Sequence, residues 1–259
     1  MIRLTFVLRR KPGATREEFQ EYWRRAHAPL VAQHADTLDL LRYVQVHTFD
    51  DPANEQMAAA RGGMEAPYDG VAELWWSSRD ALLATGQDGR AATAAAALIE
   101  DEARFIDLAA SPLWFAYEYP QINPTPENIV AEEGSSIVKL FYCLRERLGQ
   151  PADEAQWYWR THHGPFIRRR THHSGGALRY VQVHRAEEEM GAAARQARGT
   201  TAEPYLGHAE LWFDRNRPAA PPRPGDGGNR AVVEDESRFA DFSRSAMWFA
   251  KEHVVIDRR

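Results

Sequence analysis

One stretch of seven residues occurs twice in this 259-residue chain without a change. Leu41-Arg42-Tyr43-Val44-Gln45-Val46-His47 returns as Leu178-Arg179-Tyr180-Val181-Gln182-Val183-His184. The parts around it come in the same order both times. Tyr22-Trp23 precedes His27 and Pro29, as Tyr158-Trp159 precedes His163 and Pro165. Pro67-Tyr68 leads into Glu73-Leu74-Trp75, as Pro204-Tyr205 leads into Glu210-Leu211-Trp212. Each half then closes on Glu-Asp-Glu-x-Arg-Phe followed by Trp-Phe-Ala-x-Glu. Such self-similarity restricts the fold to two copies of one unit that bury surface against each other. The boundaries fall at residues 1–122 and 136–259. The linker between them, 123–135, carries Pro124, Pro126 and Glu132-Glu133-Gly134.

Within a half, the hydrophobic period gives the elements. Ile2, Leu4, Phe6 and Leu8 alternate with Arg3, Thr5 and Val7, which reads as a half-buried strand. Thr15 and Glu18 give a capping-box signal, and Phe19, Trp23 and His27 recur behind it at helical spacing. Pro29 disfavours helix at the residue before it, which places the helix end near His27. The heptad is a second strand, with Tyr43, Gln45 and His47 on one face and Val44 and Val46 on the other. The valines are expected to cover the helices, and the polar trio to face the opposite side. A third strand at 70–76 puts Glu73 on the face opposite Ala72, Leu74 and Trp76. Residues 81–108 read as helix and 113–119 as a fourth strand.

The order β-α-β-β-α-β predicts an α+β, ferredoxin-like unit: four antiparallel strands with both helices on one face. An open sheet face carrying Tyr, Trp and Val cannot stay bare, so the two open faces are expected to close on each other. Residues 215–230 break the symmetry. Their Pro/Gly-rich composition predicts a loop where the first half has an Ala-rich helix start.

A net charge of -5 gives no reason to expect nucleic acid or an anionic membrane as partner. The apolar runs are too short to span a bilayer, and the N-terminus shows no charged-then-apolar leader, so a cytoplasmic protein is expected. The single cysteine, Cys143, excludes an intrachain disulfide and a thiolate metal cluster. No phosphate loop, nucleotide fingerprint or nucleophile elbow is found. His162-His163 and His172-His173 are adjacent pairs, and neighbours on a helix point about 100° apart. Neither pair makes a ready clamp, and no metal is expected.

Tyr22-Trp23-Arg24-Arg25-Ala26-His27-Ala28-Pro29-Leu30 resembles the signature of the EthD family, and the Arg-Tyr-Val-Gln strand and Pro67 to Trp75 fit it too. The resemblance covers both halves outside the linker and residues 215–230. It implies a dimeric α/β barrel, in which two ferredoxin-like sheets pair face to face around a pocket. With both sheets in one polypeptide, the barrel is expected to be an intramolecular pseudo-dimer, either monomeric or paired again as a homodimer. Relatives with such a barrel include cofactor-free monooxygenases, polyketide cyclases, lactone isomerases and, with haem, peroxidases and haem-degrading enzymes. The fold therefore leaves the chemistry open. The second half departs from the pattern at His162-His163-Gly164-Pro165-Phe166, and has His208 where the first has Val71. One half is thus expected to carry more of the chemistry.

His27 and His163 are the candidate acid/base groups, since imidazole moves protons near neutral pH. Their competing role is a bond to a backbone carbonyl that holds the following loop. Tyr43 and Tyr180 are candidate donors to an enolate or carbonyl oxygen, or else packed phenols. Glu73 and Glu210 are mid-strand acids, costly to bury unless paired. They are candidate bases with raised pKa, or ion-pair partners of Arg3 and Lys139. Candidate substrate-binding residues are Tyr22, Trp23, Tyr158, Trp159, Gln45, Gln182, His47 and His184. The reading is an enzyme without cofactor that acts on a hydrophobic, oxygenated, aromatic or polyketide-like molecule by proton transfer. It would be a cyclase, dehydratase, isomerase or lyase of the kind found in secondary metabolism. The alternatives are a monooxygenase or haem-dependent oxidative enzyme, and a non-catalytic small-molecule binding protein.

Overall fold

Each half contributes four strands to one closed barrel. The computed structural model describes residues 1–123, 129–171, 176–186, 189–217 and 227–259. Strands β1 (Ile2–Leu8), β2 (Arg42–Thr48), β3 (Gly70–Trp76) and β4 (Leu113–Ile122) come from the first half. Strands β5 (Ile137–Leu144), β6 (Arg179–Arg185), β7 (Gly207–Asp214) and β8 (Ala246–Asp257) come from the second. They run β1-β3-β2-β8-β5-β7-β6-β4 around the barrel, every pair antiparallel. The seams between the halves are β2 with β8 and β4 with β6. The fourth strand outruns its expected end at 119, because Tyr119, Pro120 and Ile122 pair with β6 of the other half.

The helices lie outside the barrel. In the first half they are α1 (Arg16–Tyr22), α2 (Ala28–Gln33), α3 (Pro52–Ala59), α4 (Arg79–Thr85) and α5 (Gly89–Phe105). In the second they are α6 (Ala152–Tyr158), α7 (Gly164–Thr171), α8 (Glu189–Arg198) and α9 (Gly228–Glu236). Thr15 caps α1 with both bonds of the capping box. Most of the loop expected at 215–230 falls on 218–226, outside the described residues. His172, His173, Pro124 and Pro126 also lie outside them.

Pro29 does not end the helix. The chain widens into a π turn at Trp23–His27, where the Ala28 N–H reaches back to the Trp23 carbonyl, and then continues as α2 with the proline in its first turn. A widened turn restarts the hydrogen-bond pattern and lets a helix pass a residue without an N–H. Trp159–His163 repeats the device before Pro165.

The faces of the heptad are the reverse of the expectation. Val44, Val46, Val181 and Val183 point into the barrel, where they pack with Trp75, Trp114, Trp212 and Trp248. Tyr43 and Tyr180 lie under the helices. The π turns supply the reason. Each leaves a tryptophan carbonyl within reach of the sheet, and Gln45 Nε2 donates to Trp23 O at 2.9 Å and Gln182 Nε2 to Trp159 O at 2.8 Å. The pocket expected between the two sheets is filled by these tryptophans and valines, since an eight-stranded barrel has an interior just wide enough for side chains.

A charge cluster fills the rest of the interior, with Glu73 and Glu210 on the inner face as their register requires. Arg3 reaches Glu73 at 3.2 Å and Glu210 at 2.7 Å. Lys139 reaches Glu73 at 3.0 Å, Glu210 at 2.9 Å and Glu252 at 3.1 Å. Burial and the adjacent Glu210 carboxylate raise Glu73 to about 8, against the pull of Lys139 and Arg3. Burial also raises Glu210, but Arg3 and Lys139 outweigh it and hold Glu210 well below the usual carboxylate range. One carboxyl of the pair therefore keeps a proton.

Glu73 binds its proton more tightly folded than unfolded. Its contribution to stability is full below its ordinary value of 4.5 and is lost as pH rises through about 8. The buried His47, His184 and His208 act in the opposite sense, but only below their ordinary 6.5. The unfolding free energy is thus expected to fall between about pH 6.5 and about pH 8, and Glu73→Gln to flatten that fall. Urea midpoints taken across this range check it; a slope unchanged in the variant would contradict the assignment.

Candidate functional site

The polar face of the heptad works with the widened helix turn. In the second half Trp159 Nε1 donates to the Tyr180 hydroxyl at 3.2 Å, and Gln182 Nε2 donates to the same oxygen at 3.0 Å. His184 stacks on Trp159 with ring centroids 4.5 Å apart. Burial pushes its imidazole down to about 3, so it is neutral and donates from Nε2 to Gln182 Oε1 at 3.3 Å. The first half repeats the arrangement. Trp23 and Gln45 donate to Tyr43 at 2.9 and 3.0 Å, and His47, pushed by burial to about 2, donates to Gln45 at 3.1 Å. Burial holds both phenols far above the ordinary tyrosine value. Each phenol oxygen thus accepts two bonds and keeps its own hydrogen.

His163 sits in the π turn, buried, with Nδ1 2.7 Å from Asp235 Oδ2, and Tyr158 donates to Asp235 Oδ1 at 2.8 Å. His27 makes the same pair with Asp101 at 2.8 Å, and Tyr22 donates to that carboxylate at 2.7 Å. The imidazoles bond carboxylates, where a backbone carbonyl was the competing expectation. Burial raises Asp235, but the hydrogen bonds from His163 and Tyr158 win and hold it below its ordinary value. An ionised Asp235 takes the Nδ1 hydrogen and leaves Nε2 as the basic nitrogen. That Nε2 has no hydrogen-bond partner among the described residues. Asp101 and Asp235 escaped the sequence reading, although the repeated Glu-Asp-Glu-x-Arg-Phe motif carries both.

The candidates therefore divide between two places. The histidines of the dyads, the tyrosines, Trp23, Trp159, Gln45 and Gln182 lie between sheet and helices. Glu73 and Glu210 lie inside the barrel, on the other side of the sheet. His208, the second half's departure from Val71, is also inside. It stacks on Phe141 at 4.3 Å and contacts Arg3. Donor atoms of Glu73, His208 and Glu210 come within 4.8 Å of one another, a spacing open to a metal ion. Arg3 and Lys139 already spend those carboxylates, so a dication would have to displace two buried cations.

Space for a ligand appears in the second half. A cavity of about 140 Å³ lies among Tyr142, His163, Tyr180, Val232, Phe239 and Met247, with Arg61 at its wall. Arg61 comes from the first half, just after α3. Its Nε and Nη2 donate to Glu236 at 2.8 and 3.1 Å, and its guanidinium lies 5.4 Å from the Tyr142 ring centroid. Arg198 of α8 returns the gesture to the first half. It bonds Glu102 at 2.7 and 3.0 Å and lies 5.4 Å from the Phe6 ring. At the matching positions the first half has Phe6 for Tyr142, Leu98 for Val232 and Leu113 for Met247, all buried in its core.

Gly164, where the first half has Ala28, belongs to the same asymmetry. A Cβ there would lie 2.5 Å from Gln121 Oε1. Gln121 donates to Gln182 Oε1 at 3.3 Å and accepts from Arg168, so it extends the chain of bonds that ends on Tyr180. Gly164→Ala is expected to push Gln121 out and cost about 1 kcal/mol, the size of a lost hydrogen bond. Made in a Gln121→Ala background, where those bonds are already gone, the same Gly164→Ala change should cost little. Chemical denaturation of both single variants and the double variant measures it, and an undiminished cost of Gly164→Ala in the Gln121→Ala background would show the clash to be irrelevant.

The EthD domain family matches residues 11–109 and 147–243. No curated protein sequence matches the chain. Among solved structures, an anthrone oxidase-like protein superposes with a TM-score of 0.54 at 10% identity, over 100% of this chain and 94% of its own. A candidate monooxygenase from Lactobacillus acidophilus NCFM gives a TM-score of 0.43 at 6% identity, over 99% and 95%. Another, from Fusobacterium nucleatum subsp. nucleatum, gives 0.48 at 4%, over 98% and 93%. At such identities the first is a likeness of fold alone, and the other two carry no argument.

Proposed function

The chain belongs to the EthD family, and on that premise we propose that it is an enzyme that removes a proton from a small, apolar, oxygenated ring compound held in the second half. The observation behind this reading is the convergence of two groups on one cavity of about 140 Å³: an imidazole with an open Nε2 and a phenol with a hydrogen to give. A cavity of ~150 Å³ accommodates benzene, so the space is that of about one ring.

His163 Nε2 is the base, and Asp235 steadies the imidazolium that forms. Abstraction next to a carbonyl, or from a phenol, puts negative charge on the substrate oxygen. Tyr180, fixed by Trp159 and Gln182, donates to that oxygen as the charge develops. Cyclisation, dehydration, isomerisation and lyase cleavage can all start from this transfer. Oxygenation without a cofactor can start from it too, once the resulting anion gives electrons to dioxygen. A porphyrin macrocycle is larger than this cavity, so this reading uses no haem. Glu73 and Glu210 are assigned to the barrel core in this reading, with no catalytic role. Each half is read as a ferredoxin-like unit, 1–122 and 136–259 around the linker 123–135. The strand orders β4-β1-β3-β2 and β6-β7-β5-β8 support this.

The test is exchange of the α-hydrogens of cyclohexanone with solvent deuterium, followed by NMR. The protein is expected to accelerate exchange, and His163→Ala to lower that acceleration about 10²-fold or more. The loss with His27→Ala should be smaller. No acceleration by the intact protein would leave the binding-protein reading in its place.

A further inference from the structure

The first half repeats the reacting groups of the proposed site. His27 Nδ1 lies 2.8 Å from Asp101 Oδ2, and Tyr22 donates to the same carboxylate at 2.7 Å. The Tyr43 hydroxyl accepts from Trp23 Nε1 at 2.9 Å and from Gln45 Nε2 at 3.0 Å. Arg198 binds Glu102 as Arg61 binds Glu236. Burying a dyad and a phenol costs desolvation that an apolar core would not bear. The chemistry proposed above leaves this set without work.

One helix stripe separates the halves. Leu98, Asp101, Glu102 and Phe105 are buried on one face of α5, at the spacing of successive turns. Val232, Asp235, Glu236 and Phe239 stand at the matching positions of the second half. The Phe105 ring lies 5.3 Å from that of His27, and the Phe239 ring 5.3 Å from that of His163. Val232, Glu236 and Phe239 line the cavity together with His163 and Tyr180. Leu98 therefore faces the space that is open in the other copy. It is buried in one cluster with Trp23, Tyr43, Phe105 and Leu113, and it is bulkier than valine.

We propose that the first half holds a second site for the same class of small, apolar, oxygenated ring compound, complete in its reacting groups and closed by the side chain of Leu98. His27 Nε2 takes the proton there, Asp101 steadies the imidazolium, and Tyr43 donates to the substrate oxygen. A hydrogen ion exchanged with solvent returns from His27 to the same carbon, so the ring is otherwise unchanged. This rests on the reading above and adds that one buried leucine decides which half works.

The experiment uses the full-length protein and two readouts, calorimetric titration with phenol and exchange of cyclohexanone. Leu98→Ala is expected to raise bound phenol from about one to about two per chain, since a large apolar side chain cut back in a core leaves room for about one ring. His27→Ala in that background is expected to weaken the added phenol about tenfold, the effect of one buried hydrogen bond. With the second half silenced by His163→Ala, adding Leu98→Ala is expected to raise exchange about tenfold or more, and adding His27→Ala to abolish the gain. If Leu98→Ala does not fold, Leu98→Val with Leu113→Met copies the residues of the second half and takes its place. The proposal is overturned if phenol stays at one per chain, or if His27→Ala leaves the added phenol unchanged. It is overturned too if the intact protein exchanges but Leu98→Ala restores nothing to His163→Ala, or if the restored exchange survives His27→Ala. An intact protein that exchanges nothing removes the proton-transfer reading, and an added phenol that depends on His27 then still upholds the second site.

Discussion

Two cations at the centre of the barrel hold the architecture in register. Arg3 stands on β1 and Lys139 on β5, one from each half, and between them they bind carboxylates from β3, β7 and β8. Slipping any of these strands by one residue would turn its charge out of the cluster and against the helices. Removing one member of such a buried set leaves the others uncompensated, which is far costlier than never having built it. The cluster is therefore weak evidence of stability gained and strong evidence of a single permitted arrangement. It also occupies the space between the sheets, while the cavity of the second half lies on the outer face.

On the outer face the π turn organises everything else. It carries Trp23 or Trp159 at its start and His27 or His163 at its end. The tryptophan fixes the phenol of the second strand, and the histidine meets the aspartate of α5 or α9. The two halves repeat this scaffold hydrogen bond for hydrogen bond. They differ where volume and polarity are decided: Tyr142 for Phe6, Val232 for Leu98, and Gly164 with Gln121 behind it. Smaller and more polar side chains in the second half leave the space that His163 and Tyr180 share.

Much of this was legible from the repeat. The duplicated heptad pointed to two equivalent units, and alternation placed strands at 2–9 and 70–76, the first one residue longer than the strand found. Glu73 and Glu210 fell on the inner face, paired with Arg3 and Lys139 as their register required. The orientation of the heptad was not legible. Tyr43, Gln45 and His47 look like a face turned away from helices until Trp23 is known to present a carbonyl and an indole N–H to them. Pro29 hid that, because proline reads locally as a stop, while a widened turn is a property of the folded helix pair. Asp101 and Asp235 stayed out of sight for a related reason. Their partners lie 74 and 72 residues away, and no local period reports such a distance.

Arg61 crosses from the first half to close the second, and Arg198 crosses back. Each copy thus wears part of the other, and neither is a finished body by itself. A pair of separate chains built this way would have to meet before either could work, and dilution would take them apart. Joining them by a short linker replaces that encounter with an internal one, at an effective concentration on the order of millimolar. The link also ends the obligation of identity. Two separate copies of one gene product must change together, whereas a tethered pair can let one member drift. Here the first copy can be spent on structure while the second holds the opening.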